Sequence, residues 1–332
     1  MEDTMSRTLL PLSLATALMG GTALAEVPRV AVDIAPVHSL VARIMDGVGT
    51  PDLIVQSGAS PHEYSLRPSE AEALQEADLV FLVSPDLTPW LGDAIKTLAT
   101  SASVTELLEA DGTMELKIRE GAMFEVHEHG EDEHAGEEHA DHAEGEHKEH
   151  GEEEAGHEGH DQGTHDPHAW LSPQNAATWL NVIAGQLSAA DPENAGAYFA
   201  NATVGRVELD ALTADINDVL EPVREGKFIV FHDAYQYFES AFEFPASGAI
   251  SISDASDPSP ARIAEIRARI ADEGIDCVLA EPQFNAGLVA TVLDGTEAKT
   301  GILDPLGSDL EPGPALYPQL IRNLASTLAE CL

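Results

Sequence analysis

Large apolar residues recur along the chain at two alternating periods, and the alternation starts just after Pro28. In Val30-Ala-Val-Asp-Ile34 they fall at every second position, the spacing of a strand, and Val37, Leu40, Val41 and Ile44 then recur as on one face of a helix. Ile54-Val-Gln56 is short and strand-like. Residues 58–64 read as a loop by their Gly, Ser and Pro content, and residues 68–77 predict a helix with Ser69 as its cap. Leu79-Val-Phe-Leu-Val83 is apolar throughout, as strands of parallel sheets buried on both faces are. A helix over 90–100 and a marginal strand over 104–107 complete the first half.

The second half has the same grammar. Residues 175–187 predict a helix, and a long amphipathic one follows over 192–221, where Leu209, Leu212, Ile216 and Val219 recur at intervals of 3, 4 and 3. Pro192 suits the first turn of that helix and Pro222 should stop it. At roughly 30 residues it would span about 45 Å, enough to lie beside two lobes. Strands are expected at 227–231, 277–280 and 300–303, and helices at 260–273, 287–293 and 317–331. Alternating strands and helices imply an α/β fold: two lobes, each a mostly parallel sheet flanked by helices, joined by one long spine helix. The division expected is residues 26–190 for the N-terminal lobe, 191–224 for the linking helix and 225–332 for the C-terminal lobe.

One stretch breaks the rhythm. From Glu125 to Asp166 the chain carries ten histidines and seventeen acidic residues against a single base, Lys148, with almost nothing apolar. Such a run cannot offset the entropy of ordering, so residues 125–165 are expected to be a disordered loop. It accounts for much of a formal net charge of −43. The remainder is still acidic, which argues against nucleic-acid or anionic-membrane partners.

The first 25 residues read as a signal peptide. Arg7 precedes an apolar run over 9–19, and Ala23-Leu24-Ala25 supplies the small residues a signal peptidase requires, so a mature start at Glu26 and a periplasmic location are expected. Export makes the cysteines interpretable: Cys277 and Cys331 are the only pair, and in an oxidising compartment a disulfide is the default.

Outside the acidic run only four histidines remain: His38, His62, His168 and His232. Several follow predicted strands or lie in Pro-bounded loops, as Asp304 does after the strand at 300–303, and ligands of open α/β sheets bind beyond the carboxyl ends of strands. His62, His168 and His232 as a group suit a metal, since three imidazoles with a carboxylate or water suffice for Zn²⁺; their spacing forms no local motif, and for each one alone a structural role is the simpler reading. His38 is read as a structural residue or one at the rim of the site. An enzyme is not expected. His62-Glu63 has Leu66 where a zinc-protease helix needs histidine, no G-x-S-x-G turn or phosphate-cradling glycine loop occurs, and His232-Asp233 would point to opposite faces of a strand.

Five segments together, in order, resemble the zinc-specific periplasmic binding proteins of ABC importers, the ZnuA type. They are Gly58-Ala-Ser-Pro-His-Glu-Tyr-Ser-Leu-Arg-Pro-Ser69, Asp166-Pro-His-Ala-Trp-Leu-Ser-Pro173, Phe231-His-Asp-Ala-Tyr-Gln-Tyr-Phe238, Ala280-Glu-Pro-Gln-Phe284 and Leu303-Asp-Pro-Leu-Gly307. The resemblance runs from about Val30 to Cys331 and implies that His62 and His168 from one lobe meet His232 from the other on Zn²⁺. It implies a Cys277–Cys331 disulfide and makes Asp304 the match to a carboxylate on or near the metal. Some relatives offer Glu before the first histidine, where this chain has Pro61, which leaves the fourth position to Asp304 or water. His232 stands where manganese-type relatives carry Glu; imidazole there favours zinc. Glu281 and Glu63 are expected to orient ligands rather than to ligate.

The function this implies is high-affinity Zn²⁺ binding and delivery to an ABC importer permease by a monomer, with a periplasmic zinc chaperone as a further partner. His127, His129, His134, His139, His142, His147, His150, His157, His160 and His165 would be accessory metal sites. Two alternatives stand beside it: a zinc buffer or chaperone that works mainly through the His-rich loop, and a manganese or iron carrier of the same fold.

Overall fold

In the computed structural model, residues 27–119, 121, 124, 165–251 and 258–332 are described. The expected signal peptide and the acidic run with nine of its ten histidines therefore lie outside the described residues; His165 lies within them.

The first lobe is built from β1 (Val30–Val32), α1 (Ala35–Ile44), β2 (Asp52–Leu53), α2 (Pro68–Glu76), β3 (Leu79–Leu82), α3 (Leu91–Leu98) and β4 (Ser103–Glu106). A 3-10 turn, Ala169–Leu171, leads into α4 (Pro173–Ala190) and the spine helix α5 (Ala195–Leu220). The second lobe follows with β5 (Phe228–His232), α6 (Gln236–Phe242), β6 (Ala249–Ser251), α7 (Pro260–Glu273), β7 (Cys277–Ala280), α8 (Ala286–Leu293), β8 (Lys299–Ile302) and α9 (Leu316–Cys331). Among the described residues the strands form two sheets of four, ordered β2-β1-β3-β4 and β6-β5-β7-β8, and every pairing within them is parallel.

The continuous apolar strands follow from this layering. Val30, Val32, Leu79 and Phe81 join a core shared with α1, α4 and α5, whereas Ala31, Val80 and Leu82 face α2 and α3 on the other side. In the second sheet Phe228 and Val230 join the shared core, and Ile229 and Phe231 face α7 and α8. Both faces are covered, so period-2 alternation of apolar and polar residues disappears.

α5 buries Tyr198, Ala202, Gly205, Leu209, Leu212, Ile216 and Leu220 and packs on α4, α1 and α9, which ties it to both lobes. At Gly205 the crossing with α4 is so close that a Cβ would stand 2.9 Å from Leu180 Cδ1. At 26 residues the helix spans about 39 Å. It begins three residues later than expected, because Asp191 and Pro192 form a turn in which Asp191 accepts from Asn194 N–H and from the Tyr198 hydroxyl. Val219 is not on the buried stripe: it is 38% exposed, and Leu220 takes its place.

Three smaller expectations are also revised. The cap of α2 is Arg67, whose N–H donates to the Glu70 carboxylate at 2.7 Å, not Ser69. The short strand near Ile54 sits at Asp52–Leu53. α6 and β6 were not expected: Ala249-Ile-Ser251 holds a single large apolar residue, so no alternation shows, and seven residues give α6 barely two turns. Pro222 ends α5 as expected, in a 3-10 turn over Glu221–Val223. Cys277 on β7 and Cys331 at the end of α9 form a disulfide across 54 residues. Closing a loop of that length stabilises by about 4 kcal/mol in the chain-entropy model. No helix among the described residues is long and apolar enough to cross a membrane.

Candidate metal centre

Three histidines far apart in sequence converge between the lobes. The ring centroids of His62 and His168 are 5.6 Å apart and those of His168 and His232 are 5.3 Å apart. All three line one cavity, with Glu281 and Gln283, and with Pro61, Trp170, Phe284, Pro305 and Leu306 as its apolar wall.

Two of the rings are held by a carboxylate on Nδ1, and the third lies in a loop that is itself pinned. His62 lies in the loop between β2 and α2, where Trp90 Nε1 donates to the Pro61 carbonyl at 2.7 Å and the Trp90 ring packs on Tyr64. His168 precedes the 3-10 turn; Asp166 accepts from its backbone N–H at 2.9 Å and meets its Nδ1 at 2.7 Å. Ser172 then caps α4 by accepting from Asn175 N–H. His232 is the last residue of β5, and Glu281, the first residue after β7, meets its Nδ1 at 2.7 Å. That pair stands where the sheet order turns from β6-β5 to β7-β8, the place at which doubly wound sheets open a crevice.

A carboxylate on Nδ1 selects the tautomer in which Nε2 carries the lone pair, so with Asp166 and Glu281 in place Nε2 is the donor atom that His168 and His232 could offer a metal. Burial pushes the Asp166 carboxyl up to about 7, opposed by the His168 N–H and the nearby Arg119 charge. Two imidazoles on one tetrahedral Zn²⁺, with Zn–N of about 2.0–2.1 Å, hold their ring centroids roughly 5 Å apart. The ring spacings fit that separation. Among the described residues no three His, Cys, Asp or Glu side chains are already drawn up as a metal cluster, so ring spacing and donor chemistry are what speak for a metal here.

The other sequence candidates fall elsewhere. Asp304 follows β8 and the Leu303 residue; its Oδ1 accepts from Leu306 N–H at 3.0 Å and its Oδ2 from Ser308 N–H at 2.5 Å, and it does not line the cavity although Pro305 and Leu306 do. His165 pairs in an antiparallel bridge with Lys117, its Nδ1 3.4 Å from Glu115. His38 is a structural residue whose Nε2 donates to the Pro51 carbonyl at 3.0 Å. Glu63 is exposed.

Sequence reasoning missed the contacts that close the site across the lobes. Trp170 Nε1 donates to the Pro305 carbonyl at 2.8 Å, and the Tyr237 hydroxyl donates to the Asp166 carbonyl at 2.9 Å. Arg119 is ion-paired with both Asp233 and Glu239, beside His232, and its guanidinium lies over the Phe124 ring. Burial pushes both of these carboxyls up, and Arg119 pulls them down. Only the Asp166-Pro-His168 spacing, one residue between a short acceptor and the backbone N–H it can cap, carried a local signal.

A sequence model of the periplasmic component A of zinc-uptake complexes, ZnuA, matches residues 30–331. The chain belongs to the ZnuA family. The high-affinity zinc uptake system protein ZnuA of Brucella abortus (strain 2308) is 48% identical over 314 residues, 94% of this chain and 94% of that one. The protein of the same name from Paracoccus denitrificans (strain Pd 1222) is 45% identical over 336 residues, covering 97% and 98%. A crystal structure of ZnuA superimposes with a TM-score of 0.70 at 21% identity, over 92% of this chain and 99% of that one. The solute-binding protein FpvC from Pseudomonas aeruginosa, in complex with Mn²⁺, gives 0.72 at 19% identity, over 92% and 98%. At such identities these structures establish the two-lobed α/β fold and nothing finer.

Proposed function

We propose that this ZnuA-family chain is the periplasmic zinc-capturing component of an ABC importer, binding one Zn²⁺ through His62, His168 and His232 and delivering it to the membrane permease. The observation that carries this reading is the convergence of three imidazoles on one cavity, at ring spacings of 5.6 and 5.3 Å, two of them with a carboxylate on Nδ1. Imidazole nitrogens favour Zn²⁺ over the harder Mn²⁺. The fourth position falls to Asp304 or to water, and the histidines of the acidic run act as accessory sites. Support also comes from the names of the relatives, which are zinc uptake proteins at 48% and 45% identity over nearly their whole length.

Isothermal calorimetry on a variant lacking residues 125–165 tests the assignment. One tight Zn²⁺ site is expected to remain, and its loss would sink the reading. In the full chain, replacing His62, His168 and His232 together by Ala should abolish tight binding; if tight binding persisted, the acidic run would be the principal site and the protein a zinc buffer. Competition with Mn²⁺ separates the remaining alternative, since a manganese carrier would release Zn²⁺ to it.

A further inference from the structure

The loop after β7 holds a polar side chain that the three-histidine reading does not use. Gln283 lines the metal cavity, two residues beyond Glu281 and beside Phe284. Its Nε2 donates to Asp304 Oδ1 at 3.2 Å and to Ser308 Oγ at 3.1 Å. The orientation of the amide follows from its partner, because a carboxylate oxygen can only accept. Its Oε1 is buried and makes no hydrogen bond. The backbone on either side is pinned: Glu281 meets His232 Nδ1, and the Phe284 ring stacks on Phe231 with centroids 4.4 Å apart and planes 8° apart.

Asp304 is thus held from three sides, by the N–H groups of Leu306 and Ser308 and by the Gln283 amide, of which only Gln283 is a side chain. The cavity wall receives the neutral amide in place of the carboxylate. We propose that Gln283 sets the metal preference of the site by retaining Asp304 in the β8 loop. A carboxylate oxygen on the metal would strengthen binding of hard cations such as Mn²⁺ more than of Zn²⁺, which the imidazoles already satisfy. Keeping that oxygen engaged elsewhere handicaps the hard competitor. Gln283 is therefore a positioning residue, acting through Asp304, and this inference rests on the three-histidine site proposed above with water, not Asp304, in the fourth position.

The test is Zn²⁺/Mn²⁺ competition followed by calorimetry on the full chain, with Gln283→Ala and the similarly sized Gln283→Leu as independent ways to remove the amide. Both variants should shift the ratio of affinities toward Mn²⁺ by roughly tenfold, the scale of one hydrogen bond to a charged group. In Gln283→Ala/Asp304→Asn the shift should vanish, since the carboxylate it depends on is gone. A ratio unchanged in whichever single variant folds, or the same shift in the double variant, overturns the proposal. Failure of the three-histidine reading would show differently, as tight Zn²⁺ binding that persists when His62, His168 and His232 are together replaced by Ala.

Discussion

The two lobes share one strand order and use the same place in it for different ends. In the first sheet the order turns between β1 and β3, and Asp33, the residue after β1, fills that point: its two oxygens accept from Ile34 N–H and Val83 N–H, each at 2.7 Å. In the second sheet the order turns between β5 and β7, and there His232 meets Glu281 across 49 residues of sequence. Turn length separates the two cases. Two residues, Asp33 and Ile34, connect β1 to α1, so the helix start closes over the strand end and the carboxyl is wholly buried. Three residues, 233–235, connect β5 to α6, and His232 is left at the edge of the cavity. The first lobe instead supplies its histidines from longer connections, His62 after β2 and His168 before α4. A strand end becomes a site when the connection after it leaves room for a ligand.

The sharpest way to break this comparison is to remove the second lobe's contribution. His232→Ala should lower Zn²⁺ affinity by more than the roughly 100-fold upper cost of losing an orienting partner, measured by chelator competition. An effect within about tenfold would mean that the crevice of the second lobe is not where the metal sits. Glu281→Gln comes next. The neutral amide holds the ring more weakly and lowers its basicity, so a roughly 10–100-fold loss is expected in the same assay. The smallest change in metal binding should come from the equivalent place in the first lobe: Asp33→Asn is expected to leave Zn²⁺ affinity within a few-fold while lowering stability by about 1–3 kcal/mol, because one of its two acceptors is lost.

Asp33 also carries a pH signature. Burial pushes its carboxyl up to about 7 from an ordinary 3.8. The folded state then holds the proton more tightly than the unfolded chain. Its share of stability is full below about pH 4 and is lost as the pH rises to about 7, by up to about 1.4 kcal/mol per unit. Thermal unfolding of the metal-free protein between those limits should show that slope diminished in Asp33→Asn. An identical slope in both proteins would assign the pH dependence to other groups.

Much of the architecture was legible before any coordinates. Leu79-Val-Phe-Leu82 is apolar on both faces because the strand is sandwiched between helices, and that pattern marked a buried parallel strand directly; β1 and β5, read simply as strands, are covered on both faces in the same way. α6 and β6 were not legible: Ala249-Ile-Ser251 holds a single large apolar residue and shows no alternation, and seven residues give α6 barely two turns. Val219 was misplaced because an extrapolated 3-4-3 stripe slips by one residue at the end of the helix, where Leu220 turns inward.

The sequence by itself determined the alternation of strands and helices, the long spine, the paired cysteines and the few histidines outside the acidic run. Those are properties of residue type and local spacing, and a chain of this composition carries them wherever its segments end up. Only the tertiary structure decided which carboxylate serves which ring, that Asp33 closes one crevice while His232 and Glu281 open the other, and that Gln283 holds Asp304 in its loop. Those pairings join residues up to 50 positions apart. No period or motif encodes a contact that exists only once parallel strands have been laid side by side in a particular order.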